Sequence, residues 1–141
     1  MSRRLPGQVS NDNWVTPRHI YDALNYEFNF DFDPCPLFAT FDGLDHAVEW
    51  GARNYVNPPY SLPLKNQFIM RGFNEWRRGK LSVFLIPVST STEIFHKYIY
   101  GKAEIRFVKG RVKFTGYNAS GLLVSAKPAM HDTMIVIYRP A

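Results

Sequence analysis

The chain has 141 residues, 45% of them hydrophobic and 16% aromatic, which suffices for one compact domain with a real core and argues against global disorder. A formal net charge of +5 is compatible with a phosphate-backbone partner, although many ordinary domains are as basic. Cys35 is the only cysteine, so an internal disulfide and a four-cysteine zinc site are both excluded. No window approaches the length of an apolar membrane span, and no apolar run follows the basic N-terminus, so the expectation is a soluble, cytoplasmic protein.

Residues 1–13 carry two arginines, a Pro-Gly pair and the polar run Ser10-Asn11-Asp12-Asn13, and read as a flexible arm before a single domain over 14–141. Thr16-Pro17 has the form of a helix start, with Thr16 as N-cap and Pro17 at the first helical position. Ile20, Leu24 and Phe28 then recur at helical spacing, which predicts a helix over 17–27. Phe28, Phe30 and Phe32 alternate with polar residues as a short strand stopped by Pro34. Residues 36–52 lack a sustained period and read as loop. Arg53 to Val56 is a short strand, Leu64 to Arg78 a helix, and Leu81 to Ile86 a buried strand. A further short helix is expected over 91–100. Ala103 to Val108 and Arg111 to Phe114, flanking Lys109-Gly110, read as a hairpin. A polar loop over 116–131 leads to a last strand, Thr133 to Tyr138.

Strands alternating with helices, followed by a group of strands, predict an α/β fold: a three-layer sheet with antiparallel pairing at its C-terminal edge. Ligands of such sheets sit outside the carboxyl ends of the parallel strands. Asp33 and Asn57 end the first two expected strands, so both fall where a site belongs.

Asn57-Pro58-Pro59-Tyr60 carries the most specific chemistry. An exocyclic amine on a base is a poor nucleophile, because its lone pair is delocalised into the ring. Two acceptors aimed at its N–H bonds would orient that lone pair, and the Asn57 side-chain oxygen and the Pro58 carbonyl suit the task. Two prolines preset the carbonyl direction, and Tyr60 offers a ring on which a flipped base stacks. The plainer alternative is a Pro-Pro turn with Asn57 as a cap and Tyr60 as packing. His19, His46, His96 and His131 show no metal-ligand spacing, so no metal site is expected.

Trp14-Val15-Thr16-Pro17, Phe32-Asp33-Pro34-Cys35, Asp42-Gly43-Leu44, Trp50, Asn57-Pro58-Pro59-Tyr60-Ser61 and the segment Glu104 to Phe114 occur in an order that resembles the phage-type DNA N6-adenine methyltransferases, the Dam-like family. The resemblance runs from about Trp14 to Tyr138. It implies a Rossmann-like fold, S-adenosylmethionine as methyl donor and adenine N6 in double-stranded DNA as acceptor. By position it makes Asn57, Pro58, Pro59 and Tyr60 the target-amine loop. Asp33, Pro34 and Cys35 take the place of the cofactor loop, with Trp14, Thr16 and Pro17 beside the methionine end. The chain departs from larger methyltransferases in lacking a glycine-rich loop, and only 23 residues separate Asp33 from Asn57, so a reduced sheet is expected. Asp42, with Asp45 as the alternative, is the candidate for the ribose hydroxyls.

Arg106, Lys109, Arg111 and Lys113 belong to the densest basic segment. On a hairpin, the last three share a face that either contacts phosphates or is a solvated, aggregation-resistant edge; the resemblance favours DNA. The Asn-Pro-Pro-Tyr loop would equally present an RNA base or a glutamine amide; cytosine N4 is a less favoured option, because a Ser at the position of Asn57 is commoner there. A degenerate fold that only binds DNA or protein is a further alternative.

Overall fold

The computed structural model describes residues 14–117, 123–128 and 131–141; the arm over 1–13 lies outside them. A two-residue strand, β1 (Trp14–Val15), leads into helix α1 (Arg18–Phe28). The carbonyl of Pro17 accepts from the amides of Ile20 and Tyr21, both at 3.1 Å, so Pro17 caps the helix. Thr16 therefore does not fill the expected N-cap role, because its hydroxyl shares a 2.5 Å hydrogen bond with the Tyr55 hydroxyl instead. Leu24 and Phe28 are buried one turn apart, and this helical stripe holds Phe28 in α1.

Asn29 ends α1 in the left-handed conformation at φ 54°, donating its N–H to the Asn25 carbonyl. The Asn25 side chain accepts from Phe30 N, which completes the turn. The strand expected over 28–32 consequently shrinks to one parallel bridge, Phe32 with Asn54. Among the described residues, Asp31 and Phe32 N–H donate to the Arg53 carbonyl and Tyr55 N–H to that of Phe32, while Arg53 N–H donates to Asp31 Oδ1.

Beyond the 36–52 loop come β2 (Arg53–Val56), α2 (Leu64–Arg77) and β3 (Leu81–Pro87). β2 and β3 pair in parallel from Arg53 with Leu81 to Val56 with Phe84, which the intervening helix permits. The expected helix near 91–100 closes on a π-helical turn, Phe95–Ile99, where Tyr100 N–H reaches back to the Phe95 carbonyl at 2.8 Å. β4 (Glu104–Phe107) and β7 (Thr133–Tyr138) then complete a four-stranded sheet in the order β2-β3-β7-β4, with both β7 pairings antiparallel. Its mixed character bears out the expected α/β class and antiparallel edge.

Two expectations fail in this region. β4 and β5 (Lys113–Tyr117) do not form a hairpin. β4 pairs with β7, while Val112 and Phe114 bury against Leu85 and draw β5 into a second sheet, between β1 and a further strand. The loop expected over 116–131 contains β6 (Leu123–Pro128), antiparallel to β5. Residues 118–122 and 129–130 of that stretch lie outside the described residues.

The core divides by strand alternation. Val56, Phe84, Ile86, Met134, Val136 and Tyr138 face α2 and the π-helical turn, meeting Phe68, Ile69, Phe95 and Ile99. Tyr55, Val83 and Ile137 face α1 and bury Leu24 and Phe28. Each large apolar side chain so buried contributes about 1.5–3 kcal/mol. Gly72 is the close-approach point of α2, since a Cβ there would lie 2.4 Å from the Phe84 ring. Among the described residues no helix is long and apolar enough to cross a membrane.

Candidate active site

The carboxyl ends of the Phe32 bridge and of β2 open onto one cavity of about 440 Å³, within the range of small-molecule sites. Val15, Thr16, Arg18, Tyr21, Asp22, Asp33, Cys35, Leu37, Tyr55 and Asn57 line it. Four expected site residues (Thr16, Asp33, Cys35 and Asn57) thus come together from distant parts of the chain. Pro17 caps the helix on one wall, and Pro34 is buried between two lining residues. Trp14 contributes backbone to β1, paired with Gly116.

Tyr55 anchors the arrangement. It is 3% exposed, shares the bond with Thr16, and meets Tyr21 edge-on at a centroid distance of 5.0 Å. This ties the segment before α1 to the central sheet. Burial pushes the Tyr55 phenol well above its ordinary range, so it serves as a neutral hydrogen-bonding group. Burial also raises Tyr21, helped by the charges of Asp33 and Asp22.

Asp33 is the group in this cavity poised to titrate near neutrality. Burial pushes its carboxyl up to about 6, opposed by the hydrogen bond that Cys35 N–H donates to its Oδ1 at 2.9 Å. Cys35 is buried beside it.

Pro58 and Pro59 are buried and Asn57 is half-buried on the cavity wall. Tyr60 donates its hydroxyl to the Leu85 carbonyl at 3.1 Å and meets Phe114 edge-on at 6.0 Å. Its phenol is raised by burial, so the residue offers a fixed ring rather than acid-base chemistry. Lys65 follows in the first turn of α2, its ammonium lowered by burial.

Asp42 and Asp45 are not among the lining residues. Their Oδ1 atoms accept from Leu44 and Ala47 N–H, each at 2.9 Å, so the structure uses both to form tight turns. Of the basic set, Arg106 is engaged by Glu27 at 2.7 and 2.8 Å and by Glu104 at 2.8 Å. Lys109, Arg111 and Lys113 are exposed, the last two alternating with buried Val112 and Phe114. Arg111 and Lys113 share a side because Val112 and Phe114 are buried against Leu85 on the other, not because of a hairpin.

Sequence reasoning missed Arg18, Tyr21, Asp22 and Tyr55 as lining residues. The first three sit at one helical face of α1, a spacing legible as soon as that face is asked for a ligand rather than for core packing.

The chain is thus an α/β domain with a ligand-sized cavity at the ends of its parallel strands, bordered by the Asn57-Pro58-Pro59-Tyr60 loop. The chain belongs to the DNA N-6-adenine-methyltransferase (Dam) family, whose family model matches residues 5–141. Methylation of adenine N6 in DNA is the activity which that family implies in general. No curated protein and no solved structure matches the chain.

Proposed function

We propose that this chain is an S-adenosylmethionine-dependent methyltransferase acting on adenine N6 in double-stranded DNA, built on a reduced Rossmann-like domain over 14–141. The observation that carries the reading is the meeting of Thr16, Asp33, Cys35 and Asn57 around one cavity, within a chain matched almost end to end by the family model.

The cavity chemistry fits S-adenosylmethionine. Asp33 and Asp22 complement its positive groups, Arg18 its carboxylate, and the Tyr21 and Tyr55 rings with Val15 and Leu37 its less polar parts. Trp14, Thr16 and Pro17 support one wall, and Asp33, Pro34 and Cys35 form another. Bound there, the cofactor supplies a methyl group on a positive sulfonium.

The remaining work belongs to the chain. Asn57 Oδ1 and the Pro58 carbonyl accept hydrogen bonds from the two amino N–H groups and turn the adenine lone pair toward the cavity. Pro59 keeps that carbonyl direction fixed. The Tyr60 ring, held through its hydroxyl by Leu85, stacks on the flipped base and replaces part of the stacking lost from the duplex. Lys109, Arg111 and Lys113 contact the phosphate backbone, Arg111 from a long 3.9 Å pairing with exposed Asp132, and Arg106 is a lesser contributor because Glu27 holds its guanidinium through two close hydrogen bonds.

Calorimetric titration with S-adenosylmethionine tests the cavity assignment. Saturable binding, weakened by Asp33→Asn, is expected. Absence of binding at millimolar cofactor would overturn the proposal.

A further inference from the structure

The Asp33–Cys35 wall follows a single bridge residue rather than a strand, so the sheet alone does little to stiffen it. It leans on residues 36–52, which have no regular structure and whose carbonyls need partners. Those partners come from α2. Arg71, whose side chain is only 13% exposed, donates Nη1 to the carbonyls of Gly43 at 3.3 Å and Asp45 at 3.4 Å. Its Nη2 reaches the Val48 carbonyl at 2.7 Å, and its Nε is fixed by Glu75 at 2.7 Å. Trp50 lies beneath the guanidinium at 5.1 Å and donates its indole N–H to the same Gly43 carbonyl at 2.8 Å.

Gly43 transmits this grip. A Cβ there would lie 1.9 Å from the Pro34 carbonyl oxygen and 3.2 Å from the Pro34 side chain, so the Gly43 backbone sits directly against the cavity wall. Pro34 in turn separates Asp33 from Cys35, both of which line the cavity. The path from helix to cavity is continuous: Arg71, the Gly43 backbone, Pro34, then the two lining residues.

We propose that Arg71 is a positioning residue for the cavity, holding its Asp33–Cys35 wall from α2 through the clamped 43–48 loop. The inference rests on reading that cavity as the S-adenosylmethionine site. α2 begins just after the target-amine loop, so one helix serves both halves of the site. It carries Tyr60's loop at its N-terminal end and grips the cofactor wall from its middle. A guanidinium is suited to this because its rigid planar fork aims donors at separate carbonyls and at Glu75 in one fixed geometry, whereas an ammonium holds its three donors on a single atom at the end of a flexible stem.

Two variants separate the role from general stability. Arg71→Lys keeps a cation beside Glu75, which Arg78 and Lys80 also neutralise, but loses the fork. Gly43→Ala leaves Arg71 and Glu75 intact and presses on Pro34. The readouts are maleimide labelling of Cys35, calorimetric affinity for S-adenosylmethionine, affinity for a DNA duplex, and a far-ultraviolet circular dichroism melt. Folded Arg71→Lys is expected to label Cys35 about tenfold faster and bind the cofactor about tenfold more weakly, the scale of one charge-assisted hydrogen bond, and folded Gly43→Ala should move both readouts in the same direction. Duplex affinity and kcat at saturating cofactor should stay at wild-type values.

Unchanged labelling and cofactor affinity in folded Arg71→Lys would overturn the inference, as would a parallel loss of duplex affinity. If Arg71→Lys does not fold, Gly43→Ala carries the test. If neither folds, Arg71 is a global support and the inference falls. Wild-type protein that binds no cofactor would remove the proposed function, while the Cys35 rates would still decide the clamp.

Discussion

Replacing Asp33 by asparagine separates what the fold gains from what the site needs. The carboxyl's ordinary value of 3.8 and its value of about 6 in the fold correspond to a charging cost of about 3 kcal/mol. Because the folded value lies above the unfolded one, the associated stability is fully present below 3.8 and is lost as pH rises through about 6. At pH 8 wild type bears the whole cost and the Asp33→Asn variant bears none, while the substituted amide oxygen can still accept from Cys35 N–H. Asp33→Asn should therefore be more stable than wild type by up to about 3 kcal/mol at pH 8, roughly 6–12 °C in Tm for a chain of this size. The two proteins should converge near pH 3.5. Cofactor binding should move the other way: weaker in the variant, and in wild type falling about tenfold per pH unit below 6 as the carboxylate protonates. Urea melts across pH 3.5–8, paired with calorimetry, read both effects. A variant less stable than wild type at pH 8, or a stability difference independent of pH, would refute the reasoning.

Other outcomes follow from single contacts. Asn57→Ala should abolish methyl transfer while leaving cofactor affinity within a few-fold, as measured by single-turnover assay and calorimetry; a parallel loss of cofactor binding would reassign the residue. Lys113→Ala should lower the salt slope of duplex binding by about one, whereas Arg106→Ala should change it less, because Arg106 is held by Glu27 and Glu104 in two close charged hydrogen-bonded pairs. Gly72→Ala should cost about 1–3 kcal/mol in a denaturant melt, since its Cβ would meet the Phe84 ring.

What the sequence made legible was local. β2 and β7 begin and end where their apolar patterns do, and α2 and β3 differ from expectation by one residue at the C-terminal end. These elements carry apolar runs or stripes that only one period explains. Phe28 obeyed two periods at once, and the helical one prevailed because Leu24 lies one turn before it on the same buried face. The hairpin around Lys109-Gly110 had sound turn chemistry. Its failure came from long-range pairing: β4 had β7 as a partner, and Val112 and Phe114 had Leu85. At the site, Thr16, Asp33, Cys35 and Asn57 were found from motif order. Asp42 lies outside the cavity lining, its Oδ1 accepting from Leu44 N–H, and a carboxylate at a turn looks the same in sequence as one awaiting a ligand. Arg71 and Glu75 passed unnoticed, since a charge pair four residues apart on a helix usually marks a solvated face rather than a buried clamp.

The most direct measurement of the central claim is methyl transfer itself. The wild-type chain is incubated with methyl-labelled S-adenosylmethionine and unmethylated duplex DNA, and the DNA is digested to nucleosides for mass spectrometry. Label in N6-methyladenine, absent with Asn57→Ala, is the expected result. Label in N4-methylcytosine, or in RNA or protein alone when these are supplied alongside, would contradict the assignment of adenine in DNA as the acceptor.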